Sequence, residues 1–319
     1  MKQQSKSSRR LDVVVAGLAV VDVLGRPVHF NALPKPGGLQ LLESIALSTG
    51  GNVSNVGIDL AKLGFRIGAI TRIGDDALGR FILQEYRHHR IGSSGVRVDR
   101  KAQTSATFVA IGKDGERTFL HTRGCLANFR ASDVLENLQF VKRAKIFAFG
   151  YLGLLPETEK ELEVLFRTIK KKTGANILLD TGGNPRRQPK LLASFIRYVD
   201  YFIPSYEEAV ALTGRKAPED IIRYLYDVGA PNVVGVKMGA RGCFIATPLV
   251  TEYVPAVQVK RVVDTTGAGD AFVAGFLAAI IREFSPFAAA RIGNAVAAEC
   301  ITAVGASSAI QNFTRYVKR

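Results

Sequence analysis

From residue 144 onward, apolar β-type runs alternate with stretches of helical spacing, and this alternation constrains the fold more than any other feature. Residues 144–149, 176–180, 201–203 and 232–237 read as strands; 156–171, 189–198, 206–213 and 217–228 read as helices. Strands separated by helices pair in parallel through right-handed crossovers, and a parallel sheet needs helices on both faces. Residues 242–246 and 252–257 add strands, the second leading into a valine-rich β-type run over 253–263, and helices 269–281 and 286 to about 304 close the chain.

The first half is less regular. Residues 11–17 read as a buried strand entering a glycine turn, 67–73 as another strand, and 77–89 as a helix with Asp76 at its start. Residues 25–49 hold Pro27, Pro34 and Pro36, too many prolines for a central strand. Runs at 95–98, 105–111 and 117–121 follow, the last two joined by the hairpin signal Gly112-Lys113-Asp114-Gly115-Glu116. No helix separates these runs. The expectation is one domain over 11–319, α/β in class, with a small β lid from about 25–49 and 95–124 and a flexible tail at 1–10.

Composition removes several classes. Hydrophobic residues make up 47% and charged residues 22% of 319, ordinary for a folded soluble chain. No apolar stretch reaches the roughly 18 residues of a membrane span, and residues 1–10 are polar and basic with no apolar signal core behind them. Cys125, Cys243 and Cys300 are far apart and in no metal spacing, which points to a reduced, cytoplasmic setting. The net charge of +15 admits nucleic acid or an anionic small molecule. The basic clusters, Arg9-Arg10, Lys170-Lys171-Lys172 and Arg186-Arg187, are short and lack interleaved aromatics, so nucleic acid is the minority reading.

The chemistry concentrates in Asp264-Thr265-Thr266-Gly267-Ala268-Gly269-Asp270-Ala271-Phe272. A small-residue turn between a β-type run and an apolar helix leaves backbone N–H groups unpaired at a helix start, where they bind anions. Gly267 and Gly269 let the backbone approach a phosphate. Asp270 beside that site repels an anion unless it has a task, and taking a proton from an attacking hydroxyl is one. Helix capping is another use of the same residue type. Near the amino end, Gly50-Gly51-Asn52-Val53-Ser54-Asn55 puts paired glycines before a helix that carries two amides able to bond hydroxyls. Asp22, Asp180, Glu207, Glu208 and Asp270 all follow or end apolar runs, and ligands of open α/β sheets bind at the carboxyl ends of strands. Walker-type, dinucleotide-type and zinc-protease motifs are absent.

These two stretches resemble the paired signatures of the ribokinase-like (PfkB) carbohydrate kinases, and the resemblance covers about residues 11 to 310. It implies a three-layer α/β/α fold with a mainly parallel sheet and a β lid. It implies phosphorylation of a primary hydroxyl of a small sugar or sugar acid by ATP with Mg2+. Asp270 resembles the catalytic base, and the amides of Gly267, Ala268 and Gly269 the anion hole. Asp22, Gly50, Gly51, Asn52 and Asn55 fall where the family binds sugar, although some members have lysine at Asn52. Lys237, Gly239, Gly242, Thr265 and Asn294, with Gly267 and Gly269, fall at nucleotide-binding positions. Asp264 and Thr266, with backbone oxygens near Cys300, Ala303 and Gly305, match a K+ site in members that use potassium. Ser205-Tyr206-Glu207-Glu208 departs from the family's Asn-x-x-Glu: Glu208 keeps the acid of the magnesium network, and serine replaces the amide. Family lids often pair across a homodimer. A nucleoside kinase of the same fold, with Tyr151 or Phe30 stacking on a base, is the alternative enzyme, and a non-catalytic nucleotide or nucleic-acid binder the alternative class.

Overall fold

A computed structural model describes residues 11–113, 115–183 and 188–317. The tail at 1–10, the hairpin residue Asp114 and the Arg186-Arg187 cluster lie outside the described residues. Thirteen strands are described: β1 (Val13–Gly17), β2 (Val20–Arg26), β3 (Ser44–Gly50), β4 (Ile67–Gly74), β5 (Gly92–Asp99), β6 (Ala106–Ile111), β7 (Arg117–Thr122), β8 (Ile146–Leu152), β9 (Asn176–Thr181), β10 (Tyr201–Phe202), β11 (Val233–Lys237), β12 (Cys243–Ala246) and β13 (Thr251–Val254).

Nine of them form one sheet in the order β13-β12-β11-β10-β9-β8-β1-β4-β5. From β10 through β5 every pairing is parallel, as the helix-separated runs require; β12 and β13 add antiparallel edge strands. One buried apolar layer packs the helices Asn52–Lys62, Ala268–Ile281 and Pro286–Cys300 on one face. A second packs Leu162–Thr173 and Pro218–Asp227 on the other. The helix Ala268–Ile281 is buried at every residue from Asp270 to Ala279, which explains why it is apolar all round rather than amphipathic. Small residues let its neighbour come close: a Cβ on Gly275 would lie 2.8 Å from Val296 Cγ2, and one on Gly293 2.9 Å from the Phe272 carbonyl oxygen.

The remaining four strands form a separate sheet in the order β3-β2-β6-β7. Its register fixes two faces. Leu47, Val23, Phe108 and Leu120 are cross-strand partners on one, and Ser48, Asp22, Thr107 and His121 on the other.

Three boundaries differ from the sequence reading. Residues 95–98 were expected in the small sheet but belong to β5, which pairs in parallel with β4 at the edge of the large one. The helix Ala77–His88 joins β4 to β5, so the crossover rule holds, and the polar composition of β5 hid it. The run around Asp22 is not a strand end but the middle of β2 in the small sheet. The valine-rich run to residue 263 stops being a strand at Val254, where Pro255 has no N–H to donate. The short helices Ala131–Leu135 and Leu138–Val141 were not expected; Asp133 at the first of them takes Arg72 Nε at 3.0 Å and closes it over the sheet.

Candidate active site

Gly267 precedes the helix Ala268–Ile281 in the left-handed region, at φ +75°. A Cβ there would sit 2.4 Å from the Ala306 Cβ, so the turn requires glycine. No side chain caps this helix start. The Ala268 amide turns back to the Thr265 carbonyl at 3.3 Å, a long bond that leaves the helix end able to accept an anion. Gly269 is exposed, and the nearest atom to a Cβ there would be Lys237 Nζ at 3.7 Å. An ammonium group therefore stands over the amides.

Asp270, one residue on, is buried. Its Oδ2 accepts from Asn55 Nδ2 at 2.8 Å, and the Tyr151 hydroxyl donates to both oxygens at 2.7 Å. Burial raises its pKa, while the Asn55 and Tyr151 bonds and the charge of Lys237 hold it down. The result is an oriented carboxylate more basic than an ordinary aspartate, the property a general base needs. Asn55 reaches it because the helix Asn52–Lys62 starts at Gly51, whose φ is +81°; a Cβ on Gly51 would lie 2.5 Å from the Leu18 carbonyl oxygen.

Lys237, at the end of β11, bonds Asp180 Oδ1 at 2.9 Å. Burial pushes the Asp180 pKa up to about 6 against the pull of Lys237, with Asp270 and Glu208 adding to the rise. Glu208 Oε2 accepts from the Ser205 amide at 3.0 Å and from the Thr181 hydroxyl. Ser205 Oγ accepts in turn from the Glu208 amide at 3.4 Å, so the serine that replaces the family's amide completes a capping box. Asp180, Glu208 and Asp270 thus converge on one lysine, as the strand-end positions suggested.

On the other side of Asn55 lies a cavity under the small sheet, lined by Asp22, Ser48, Thr49, Asn55, Arg117 and Asp264 among others. Burial lifts the Asp22 pKa to about 6, opposed by the Thr107 hydroxyl. A Cβ on Gly50 would meet Asp22 Oδ2 at 2.3 Å, so a larger residue there would displace the Asp22 carboxylate.

Other expected site residues make contacts within the fold. Asn52 turns to the backbone: its Oδ1 accepts from Leu18 N–H at 2.9 Å and its Nδ2 donates to the Ala16 carbonyl at 3.0 Å. Asn294 donates to the Pro255 carbonyl at 2.9 Å and holds the chain leaving β13. Gly242 is there for packing, since a Cβ would lie 2.1 Å from the Val254 carbonyl oxygen, whereas Gly239 and Thr265 are exposed. Asp264 is paired with Arg117, and its Oδ2 accepts from the Gly305 amide at 2.9 Å. The Cys300 thiol donates to the Ala306 carbonyl at 3.0 Å, and the Ala303 amide leans on the Cys300 carbonyl at 3.5 Å. Sequence reasoning gave Arg117 no part in the site and offered Tyr151 only as a platform for a nucleoside base, not as the partner of Asp270. The place of Tyr151 at the carboxyl end of β8 was the available signal for it.

Asp59, on the same helix as Asn55, is fully buried, and neither carboxyl oxygen has a hydrogen-bond partner among the described residues. Burial drives its pKa well above the ordinary 3.8; the Asp270 charge adds to this, and Ser307 and Lys62 oppose it in part. A folded-state value above the unfolded one means that the folded chain keeps a proton the unfolded chain gives up. Its stabilising contribution is present at acid pH and is lost as pH rises from 3.8 through the folded value. Asp59→Asn, neutral at every pH, is expected to flatten the fall in melting temperature between acid and alkaline buffers; thermal melts across pH check this, and a profile parallel to wild type refutes it.

The pfkB family carbohydrate kinase profile matches residues 10–312. Probable fructokinase-7 of Arabidopsis thaliana is 31% identical over 263 residues, 79% of this chain and 76% of that protein. The 2-dehydro-3-deoxygluconokinase of Bacillus subtilis (strain 168) is 29% identical over 282 residues, 84% and 85% of the two chains. Arabidopsis thaliana ribokinase, solved with ribose and ATP, superposes with a TM-score of 0.83 at 25% identity, covering 97% of this chain and 98% of that one.

Proposed function

The chain belongs to the pfkB family of carbohydrate kinases and is an ATP-dependent carbohydrate kinase, and from that premise we propose that it phosphorylates a primary hydroxyl of a small neutral sugar, with Asp270 as general base. The observation that carries the proposal is the buried, doubly anchored Asp270 carboxylate, which follows the open helix start at 267–269 and is bonded to Asn55, one of the residues that line the cavity with Asp22. A sugar in that cavity presents its hydroxyl to Asp270 once the Tyr151 hydroxyl gives way. The amides of Gly267, Ala268 and Gly269 and the Lys237 ammonium hold the charge of the transferring phosphoryl group. Asp22 and Asn55, with Ser48 and Thr49, supply acceptors and donors for the remaining hydroxyls.

A neutral sugar suits this wall better than a sugar acid. Asp22 opposes a substrate carboxylate, and the guanidinium on the cavity wall, Arg117, is already paired with Asp264. A nucleoside would need an aromatic platform, for which Phe119 on the cavity wall is the candidate, and the substrate panel below decides between the two. Magnesium would arrive on the ATP phosphates and neutralise them. Asp180 and Glu208, beside Lys237, are the carboxylates that would face it. The small sheet would act as the lid that keeps water from the phosphate. Its outer face, with Ile45, Leu47 and Leu120 exposed, would bury that apolar surface against a second copy.

A coupled ADP-release assay over ketohexoses, aldopentoses, 2-keto-3-deoxy sugar acids and nucleosides tests the assignment. A neutral sugar is expected to give the highest kcat/KM, by about tenfold or more over the others. A sugar acid or nucleoside in first place overturns the substrate class.

A further inference from the structure

We infer that Arg117 supplies, from the small sheet, the positive charge that a monovalent cation was expected to bring to the Asp264–Thr266 loop, so that phosphoryl transfer by this chain needs no potassium. The inference rests on the kinase reading above and concerns how the same site is held together.

The side chains expected to hold the cation, Asp264 and Thr266, are both engaged. The Arg117 guanidinium donates to Asp264 Oδ1 and to the Thr266 hydroxyl. Asp264 Oδ1 also accepts from the Thr266 amide at 2.7 Å, and Oδ2 from the Gly305 amide at 2.9 Å. The Cys300 thiol reaches the Thr266 carbonyl at 3.4 Å and the Ala306 carbonyl at 3.0 Å. A K+ ion would have to share these oxygens with the donors that already hold them, and it would sit against a guanidinium of its own sign that neutralises the Asp264 carboxylate. The residues present therefore do not fit the ion.

The pairing is also placed to matter. The two side chains are 19% and 7% exposed, so the charges are largely out of water. Asp264 and Thr266 lead directly into Gly267, the left-handed residue that opens the helix of the anion hole. Arg117 stands on β7, in the sheet proposed to close over the sugar. A solution cation would steady this loop whatever the small sheet does; an arginine on that sheet steadies it only when the sheet is in place. Arg117 is thus a positioning residue that ties the position of the lid to the shape of the anion hole.

The test is a potassium titration of the wild-type chain at constant ionic strength, with tetramethylammonium as the replacing ion, read by sugar-dependent ADP release and by thermal melt. The wild-type kcat is expected to change less than about twofold and the melting temperature to stay put, whereas Arg117→Ala is expected to lose about tenfold or more in kcat and to recover part of both kcat and melting temperature when potassium or guanidinium is added. Arg117→Lys, which keeps the charge, is expected to remain potassium-independent. Saturable activation of the wild type by potassium overturns the inference while leaving the kinase reading intact, and that arm requires no variant to fold. Arg117→Ala with wild-type kcat in the absence of potassium overturns it as well. A chain that releases no ADP with any sugar, in any salt, would instead count against the kinase reading, and the melting temperatures would still report on the cation.

Discussion

Asp270→Asn is expected to lower kcat by about 10²–10⁴-fold, the usual worth of a positioned general base, and to leave the melting temperature close to wild type. Asparagine matches the aspartate in shape, keeps an oxygen for the Tyr151 hydroxyl and removes a buried charge, so the fold loses nothing large. What disappears is the one group that can take the proton as the sugar oxygen attacks phosphorus. Sugar binding through Asp22 and Asn55 is expected to survive, so the loss falls on kcat more than on KM. Steady-state ADP release alongside a thermal melt of the same preparation checks both halves. A variant that turns over at the wild-type rate assigns the base to another group.

Lys237→Met is expected to cost about 3–5 kcal/mol of stability, because it removes one partner of a buried pair and leaves the other charged. Lys237 and Asp180 are 12% and 5% exposed, so solvent screens the pair little. Glu208 and Asp270 add to the excess of negative charge that remains. The pH dependence follows from Asp180, whose folded pKa is about 6 even with the lysine beside it. Without the lysine it rises further, so protonation relieves the strain below that range. The loss is therefore expected to be larger in mildly alkaline buffer than near pH 5, in urea melts of both chains. Adding Asp180→Asn to the variant is expected to restore most of the stability at neutral pH. Equal losses at every pH, or no recovery in the double variant, would show that the pair is not what the lysine stabilises.

Both predictions concern residues that differ in how legible they were. The alternation of strands and helices after residue 144 was readable because each element buries a run of neighbours in sequence. The turn at 264–272 was readable because only small residues allow a helix start to open on a ligand. Asn55 and Asp22 were assigned to the sugar side, and both line one cavity. Asn52 was grouped with them by its motif, yet its amide is consumed by the backbone of residues 16 and 18. Nothing local distinguishes the two amides; only the position of β1 does. Arg117 and Asp264 are 147 residues apart, and Tyr151 and Asp270 are 119 apart. Contacts of that separation leave no periodicity in a sequence, so the neighbours that set the basicity of Asp270 and the charge of its loop appear only once the sheets are assembled. β5 was misassigned for a related reason: it is short of apolar residues and takes its place from the crossover helix before it rather than from its own composition.

The central claim is that Asp270, in its raised-pKa setting, accepts the proton of the sugar hydroxyl. The most direct measurement is kcat against pH, from about pH 5 to pH 8, for the wild type and Asp270→Asn with saturating sugar and ATP. The wild-type rate is expected to fall as pH drops, approaching about tenfold per unit once the carboxylate is protonated, while the variant runs along a low line with no such fall. Two profiles that bend at the same pH, differing only in height, would contradict the account.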